Sequence, residues 1–517
     1  MAAADLPRAT AREVPEPIAV LLAEWLAQRR WFPPDAVEDG RARWSSTSVL
    51  ELAHPGETSV ELWVLRAGGT VVHVPLVLVP DDDPGARRSD GDEGMMLPEQ
   101  PSDSSAAGKR AAVVPLRPDA PPPPPPPDPG LIGLTETSAG AVRVYDGAFR
   151  TELWHALLEA ARWEDGAVPF DVAVMDDGPV RGRVLSGEQS NTSVILPDVA
   201  GGLIVKLLRT LAEGDHPDVE VPRALRAAGF ARAPRVPASL EALVDDGAYL
   251  GGWRGTLAVI SELVPDADDG FTLACALASD GTDFSRSAEE LGEVVADLHT
   301  ALRAAYPTEP AGLDTLADEI GRRVEEAAER STEVRALLGP LDSYLDRLRR
   351  ELTGRDHESV RQRIHGDLHL GQTLRAPGGW WVLDFEGEPL RAASERFRPD
   401  LPERDLAGLL RSVDYAAAIA DSPDSDWGVA ARDGLITGYL RGTRRGLDDR
   451  VEPEDEHSDE PRGWGRSVSG DRTTTEILVD AFELDKAAYE VVYEEQHRPA
   501  WVHIPLAALR RLLAPFL

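Results

Sequence analysis

A chain of 517 residues, 42% of them hydrophobic, has room for about three or four domain-sized units with ordinary cores. Its 54 Lys and Arg against 90 Asp and Glu give a formal charge of −36, which repels nucleic acid and anionic membranes. ATP is not excluded, because a small local cluster of Lys, amides and metal can hold phosphates within an acidic protein. Cys275 is the single cysteine, so neither an intramolecular disulfide nor a cysteine-based zinc site can form. The first thirty residues lack a basic start followed by an apolar core, and no apolar run is long enough to span a bilayer. The chain is therefore expected to be soluble and cytoplasmic.

In chain order, residues 17–30 pattern as a short amphipathic helix that ends near Trp31-Phe32-Pro33-Pro34. From Val49 to Val79, β-rich runs alternate with turn residues, as in an antiparallel sheet. Residues 81–130 carry 13 of the 42 prolines, which marks an extended or disordered linker inserted into the N-terminal part. Residues 447–471 pattern as a second exposed insertion. Helical patterning resumes over 148–163, a β-rich block follows from about 170 to 206, and a helix starts near Pro217. Two strands are expected around 247–264, and the remainder is mostly helical. Strands first and helices later is the order of a bilobal kinase.

The chemistry concentrates between residues 363 and 388. A kinase catalytic loop needs an aspartate to orient the attacking hydroxyl and accept its proton. Five residues later it needs an amide for a metal, and after a short hairpin a second metal-binding aspartate. Asp367, Gln372 and Asp384 stand at that spacing, in Ile364-His365-Gly366-Asp367-Leu368-His369-Leu370-Gly371-Gln372 and Leu383-Asp384-Phe385-Glu386-Gly387. Either aspartate alone reads as a loop cap; the three together read as phosphoryl transfer. His365 and His369, four apart, suggest a zinc pair, but that motif needs a helix with Glu after the first His, and Gly366 stands there. His365 is instead expected to pack and hydrogen-bond beneath the loop, and His299 and Cys275 to be core residues.

Upstream, Leu203-Ile204-Val205-Lys206 is an apolar strand ending in the kind of lysine that neutralises nucleotide phosphates, with Glu220 on the next helix as its expected partner. The preceding segment lacks a glycine-rich signature, so Ser190, Asn191, Thr192 and Ser193 would cradle phosphates through hydroxyls and amides. Ile260-Ser261-Glu262-Leu263-Val264 patterns as a hinge whose backbone, at Glu262 and Val264, meets adenine.

These segments resemble the actinobacterial maltokinases, within the aminoglycoside-phosphotransferase-like branch of the protein-kinase-like superfamily. The likeness rests on Glu188-Gln189-Ser190-Asn191-Thr192-Ser193, the Asp367 and Asp384 motifs, Arg404-Asp405-Leu406-Ala407-Gly408-Leu409-Leu410-Arg411-Ser412, Tyr489-Glu490-Val491-Val492-Tyr493-Glu494 and the N-terminal Arg30-Trp31-Phe32. It implies an α+β bilobal protein-kinase-like fold with a cap subdomain at 1–147, a nucleotide-binding β lobe at 148–264 and a helical C-lobe at 265–517. It further implies transfer of the ATP γ-phosphate to maltose, giving maltose 1-phosphate for α-glucan synthesis, with possible association with trehalose synthase. The family's catalytic aspartate falls on Asp367, its magnesium ligands on Gln372 and Asp384, and its sugar contacts on Lys486, Tyr493 and Glu494 besides the two aspartates. Pro33-Pro34 departs from the family's Gly- and Lys/Arg-rich turn. A related kinase for glucosamine or another amino compound is the nearest alternative. A catalytically dead scaffold is a further one, although it would need none of Lys206, Asp367, Gln372 and Asp384.

Overall fold

The computed structural model describes residues 6–81, 128–138, 140–164, 180–185, 190–245, 252–355, 359–388, 397–420, 426–448 and 472–517. Most of both expected insertions, together with Glu188, Gln189 and Pro389, lies outside them. The fold is mixed α+β, a β-sheet unit (Met1–Val219 with Val236–Leu263) and a helical unit (Glu220–Arg235 with Val264–Leu517). No helix among the described residues is long and apolar enough to cross a membrane.

The first unit holds β1 (Arg8–Ala11), α1 (Glu16–Leu26), β2 (Ser46–Leu52), β3 (Ser59–Ala67), β4 (Thr70–Pro80), β5 (Leu131–Thr137), β6 (Gly140–Asp146) and α2 (Thr151–Ala160). β7 (Asn191–Leu196), β8 (Leu203–Leu208), the start of α3 (Pro217–Ala227), β9 (Ala238–Val244) and β10 (Trp253–Glu262) complete it. One sheet runs from the short strand Arg183–Val184 through β7, β8, β10, β9, β1, β2, β3, β4 and β6 to β5. The sequence places a cap at 1–147 and a nucleotide lobe at 148–264, and this sheet passes through both stretches. The join is β1, a strand the sequence reading did not find. It pairs parallel with β9 (Arg8↔Leu243) and antiparallel with β2 (Thr10↔Val49).

Period-two alternation sorts the strand side chains into two cores. On β3, Val60, Leu62 and Val64 join Leu153 and Leu157 of α2, while Trp63, Leu65 and Ala67 join Ile18, Leu22 and Leu26 of α1. Those three α1 residues recur every fourth position, so one helical face is apolar, and Glu16 suits the positive N-terminal end.

Arg209, 1% exposed, is the buried charge at the centre of this unit. Its Nη2 donates to both carboxylate oxygens of Asp146 at 2.9 and 2.7 Å, and its Nε donates to Thr192 Oγ1 at 2.9 Å. The Trp31 ring lies 4.8 Å from the guanidinium carbon, which gives that N-terminal motif residue a physical role.

The helical unit contains α4 (Gly270–Asp280), α5 (Ser285–Ala305), α6 (Leu313–Arg330), α7 (Leu338–Leu352), the hairpin β11 (Thr373–Ala376) and β12 (Gly379–Val382), α8 (Glu403–Ile419), α9 (Asp426–Asp448), α10 (Thr474–His497) and α11 (His503–Leu513). α5 and α9 meet backbone to backbone. A Cβ at Gly434, Gly438 or Gly292 would collide with the carbonyl oxygen of Ser285, Glu289 or Leu435 respectively. Glycine at every fourth position of α9 is what allows the approach. Cys275 packs in the core of this unit, as expected, and burial pushes its thiol up to about 11.

Of the two strands expected around 247–264, the described residues show one there, β10; its partner β9 ends earlier, at Val244. Residues 246–251 lie outside the described residues.

His73 on β4 supplies a pH test of the fold. Burial, helped by the Arg209 charge and opposed by a hydrogen bond to the Leu208 carbonyl (2.8 Å), lowers its pKa from 6.5 to about 3. The unfolded chain takes up this proton near pH 6.5 and the folded chain does not, so stability is lost as pH falls below that value. From this group the loss is about 1.4 kcal/mol per pH unit, or about 2 kcal/mol between pH 6.5 and 5. Urea unfolding of wild type and His73→Leu at pH 7.5 and 5 should show the variant losing correspondingly less on acidification.

Candidate active site

In the sheet unit, the alternation that buries Leu203 and Val205 turns Ile204 and Lys206 to the other face of β8. Lys206 Nζ lies 2.6 Å from Asp218 Oδ2, and Asp218 is 8% exposed on the first turn of α3. The sequence reading gave this role to Glu220. The structure gives Lys206 the carboxylate two residues earlier, because Asp218 is the acid that the helix turns inward. Glu220 is exposed, belongs to the helical unit and sits beside Tyr306.

The segment Ser190–Ser193 is also corrected. Asn191, Thr192 and Ser193 form the first half of β7, with Ser193 opposite Lys206, and are not a loop. Asn191 Oδ1 accepts from the Arg209 amide at 3.2 Å and Thr192 Oγ1 accepts from its guanidinium, so these polar groups serve the buried arginine. Glu262 ends β10 opposite Leu203, the Leu263 amide donates to the Gly202 carbonyl, and Val264 is buried.

In the helical unit, the hairpin β11–β12 returns the chain so that Gln372 and Asp384 meet. Gln372 Nε2 donates to Asp384 Oδ2 at 3.0 Å. Asp384 holds a left-handed backbone (φ 60°), an uncommon conformation for a residue with a Cβ. His365 ties the two stretches together. Its Nε2 donates to the Leu383 carbonyl at 2.8 Å, its Nδ1 accepts from the Asp367 amide at 3.4 Å, and its ring packs on Phe385. Both nitrogens are thereby engaged, which leaves the zinc-pair reading without its first ligand.

The loop lies on α8, and this explains the motif around Asp405. Asp405 Oδ2 accepts from the His365 amide at 2.8 Å and Oδ1 from the Gly366 amide at 2.9 Å. Ser412 Oγ accepts from the Leu370 amide at 3.1 Å. Between them, a Cβ on Gly408 would collide with the Leu368 carbonyl oxygen. Residues three and seven positions apart share a helix face, so Asp405, Gly408 and Ser412 form one rail under the catalytic loop. The sequence reading quoted the motif without this reason; the spacing was its signal.

Asp367 is raised from 3.8 to about 6, mainly by burial. Lys486 and His365 pull it down, and Glu388 and Asp384 push it up. His369 is lowered to about 4 by burial, with Lys486 and His365 adding to the effect. Lys486 is therefore the cation that acts on the centre, and among the described residues its Nζ makes no hydrogen bond or ion pair. Tyr489, one turn along α10, feels both Glu388 and Asp367, and its ring stacks 6.3 Å from that of Tyr493. The sequence reading did not name it. Glu494 is 1% exposed, and both of its oxygens are taken, by Tyr415 (2.8 Å) and by Arg498 (2.8 Å). Of the three α10 residues the resemblance assigned to a sugar, Glu494 thus closes the helix terminus.

The model of the phosphotransferase enzyme family matches residues 181–452. A glucosamine kinase of Mycolicibacterium smegmatis is 32% identical over 359 residues, spanning 64% of this chain and 79% of that protein. A glucosamine kinase of Streptacidiphilus jiangxiensis is 28% identical, spanning 69% and 80%. A solved glucosamine kinase in complex with glucosamine, ADP and inorganic phosphate shares the fold, with a TM-score of 0.56, 19% identity, and coverage of 96% of this chain and 99% of that one.

The rail has a direct test. Gly408→Ala forces either Leu368 or α8 to move, and overpacking of this kind costs about 1–3 kcal/mol. The urea midpoint should fall accordingly.

Proposed function

We propose an acceptor for a chain that belongs to the phosphotransferase enzyme family. It transfers the γ-phosphoryl group of ATP to a hydroxyl of a hexose, and glucosamine is the acceptor that the names of its relatives favour. The observation that carries the reading is Asp367, a half-buried carboxylate poised at about 6 beside the Lys486 cation and the Tyr489 ring. A base of that strength is ionised at neutral pH. It can orient a sugar hydroxyl and accept its proton late, as the oxygen bonds to phosphorus and the bond to ADP breaks. Lys486 can donate to a neighbouring hydroxyl, and Tyr489 offers an apolar face to the pyranose. Lys206, steadied by Asp218, is suited to neutralise phosphate charge. Gln372 and Asp384 offer the hard oxygen donors that suit magnesium; an ion held there would neutralise charge on the phosphates. Positioning and electrostatics supply most of such a rate enhancement. One cysteine and a need for ATP favour the cytoplasm.

Maltose is the second reading. The paired rings of Tyr489 and Tyr493 give a stacking face longer than one pyranose needs, and Lys486, an ammonium with no ion pair among the described residues, is a poor neighbour for an amino group. Supply of maltose 1-phosphate to α-glucan synthesis, and association with trehalose synthase, belong to that reading.

ADP release with magnesium and ATP, measured against glucosamine, maltose, glucose and kanamycin with ³¹P NMR of the product, separates the two. Turnover with glucosamine to a phosphate monoester is expected. Turnover with maltose alone, giving an anomeric phosphate, replaces the acceptor, and activity with none of glucosamine, maltose and glucose overturns the sugar reading. Asp367→Asn should lower kcat by about 10²-fold or more while ATP still binds.

The pH dependence follows from the same carboxylate. Raised to about 6, Asp367 is protonated and inactive below that pH, so kcat/KM should rise through about 6 and level off above it. Lys486 lowers this pKa, so Lys486→Met should move the acid limb to higher pH. A limb that stays in place would separate Lys486 from Asp367.

A further inference from the structure

Asp405 can aim the loop only if its own carboxylate is held from the other side, and two residues outside the motif hold it. His299 on α5 is 5% exposed and places Nε2 3.0 Å from Asp405 Oδ2. Its Nδ1 is 3.0 Å from the hydroxyl of Tyr439 on α9, which is also 5% exposed, with the two rings edge to face at 5.6 Å. The Gln362 side chain, just before the loop, donates to the His299 carbonyl at 2.8 Å. Tyr439 follows Gly438 directly, so the close α5–α9 contact sets the distance between Tyr439 and His299.

We propose that His299 and Tyr439 are positioning residues for phosphoryl transfer, acting through Asp405 on the backbone that carries Asp367. An ionised carboxylate accepts only N–H groups, so Nε2 carries a hydrogen, and in the neutral imidazole Nδ1 is then left to accept one. Tyr439 supplies it. Burial, with Glu403 and Asp405 nearby, raises the phenol well above its usual pKa and keeps its hydrogen in place. Burial pushes the pKa of Asp405 up, but the hydrogen bonds it accepts from His299 and the Gly366 amide outweigh it and the carboxylate stays ionised. The opposite tautomer would set the lone pair of Nε2 against Oδ2 and turn the carboxylate away from the two amides. Tyr439 thus selects the tautomer, the tautomer fixes Asp405, and Asp405 fixes the loop.

The test compares His299→Gln, His299→Asn, His299→Leu and Tyr439→Phe for kcat, KM for ATP and Tm. Glutamine can place an N–H where Nε2 lies, whereas asparagine reaches only to Nδ1. The glutamine variant should keep kcat within about threefold, the asparagine and leucine variants should lose about tenfold or more, and Tyr439→Phe should fall between them. KM for ATP should stay within about twofold throughout. Equal kcat in the glutamine and asparagine variants, or losses that simply follow Tm, would overturn the proposal. The inference rests on Asp367 as the base, and Asp367→Asn serves as the control. If that variant turns over normally, the function reading fails; if it is inactive while glutamine and asparagine are alike, only the positioning role fails.

Discussion

A carboxylate buried to 2% exposure must have donors on both oxygens, and the helical unit is arranged around meeting that demand at Asp405. Two of its donors are consecutive main-chain amides of the catalytic loop, and the third is an imidazole on another helix. A loop is the least constrained part of a chain, and here its conformation is imposed by hydrogen bonds that cannot be exchanged for water. The glycine at 408 lets the loop lie directly on α8, and Ser412 holds its far end. The glycine contact between α5 and α9 serves the same purpose from behind, because it brings Tyr439 to His299.

The sheet unit solves a similar problem with a cation. Arg209 is buried among groups contributed by β6, β7 and the turn after α1, which are far apart in sequence. Removing one partner from a buried pair leaves an uncompensated charge and costs about 3–5 kcal/mol. These residues therefore act as one piece, and the run Asn191-Thr192 is committed to structure next to the strand that carries Lys206. Polar groups committed to Arg209 and the candidate Lys206 sit on the same strand pair, and composition alone does not tell them apart.

The candidate centre was legible as a cluster because its three members lie within 18 residues and are joined by a hairpin, so spacing stands in for distance. Helix α1, strands β2 to β4 and the helical half followed from periodicity. The partner of Lys206 did not, since Asp218 and Glu220 are both acids on one turn and only burial separates them. A run of three hydroxyls and an amide at 190–193 has the composition of a loop, and its strand pairing depends on residues 206–208 across the turn. Glu494 looked available until Tyr415, 79 residues earlier, was brought to it. The acceptor is the least legible part, because a few hydrogen bonds and a ring face distinguish one sugar from another and α10 offers them to several.

The four residues of β1 have consequences for how the chain is made. Strand β2 is synthesised soon after them, but β9 is more than two hundred residues away, so a nascent chain carries β1 as an open edge through much of its synthesis. Open edges recruit strands from other molecules. This one is short, begins with Arg8 and is followed by Arg12, and like positive charges discourage pairing between neighbouring nascent chains. The second edge of β1 is covered only when residues 238–244 arrive.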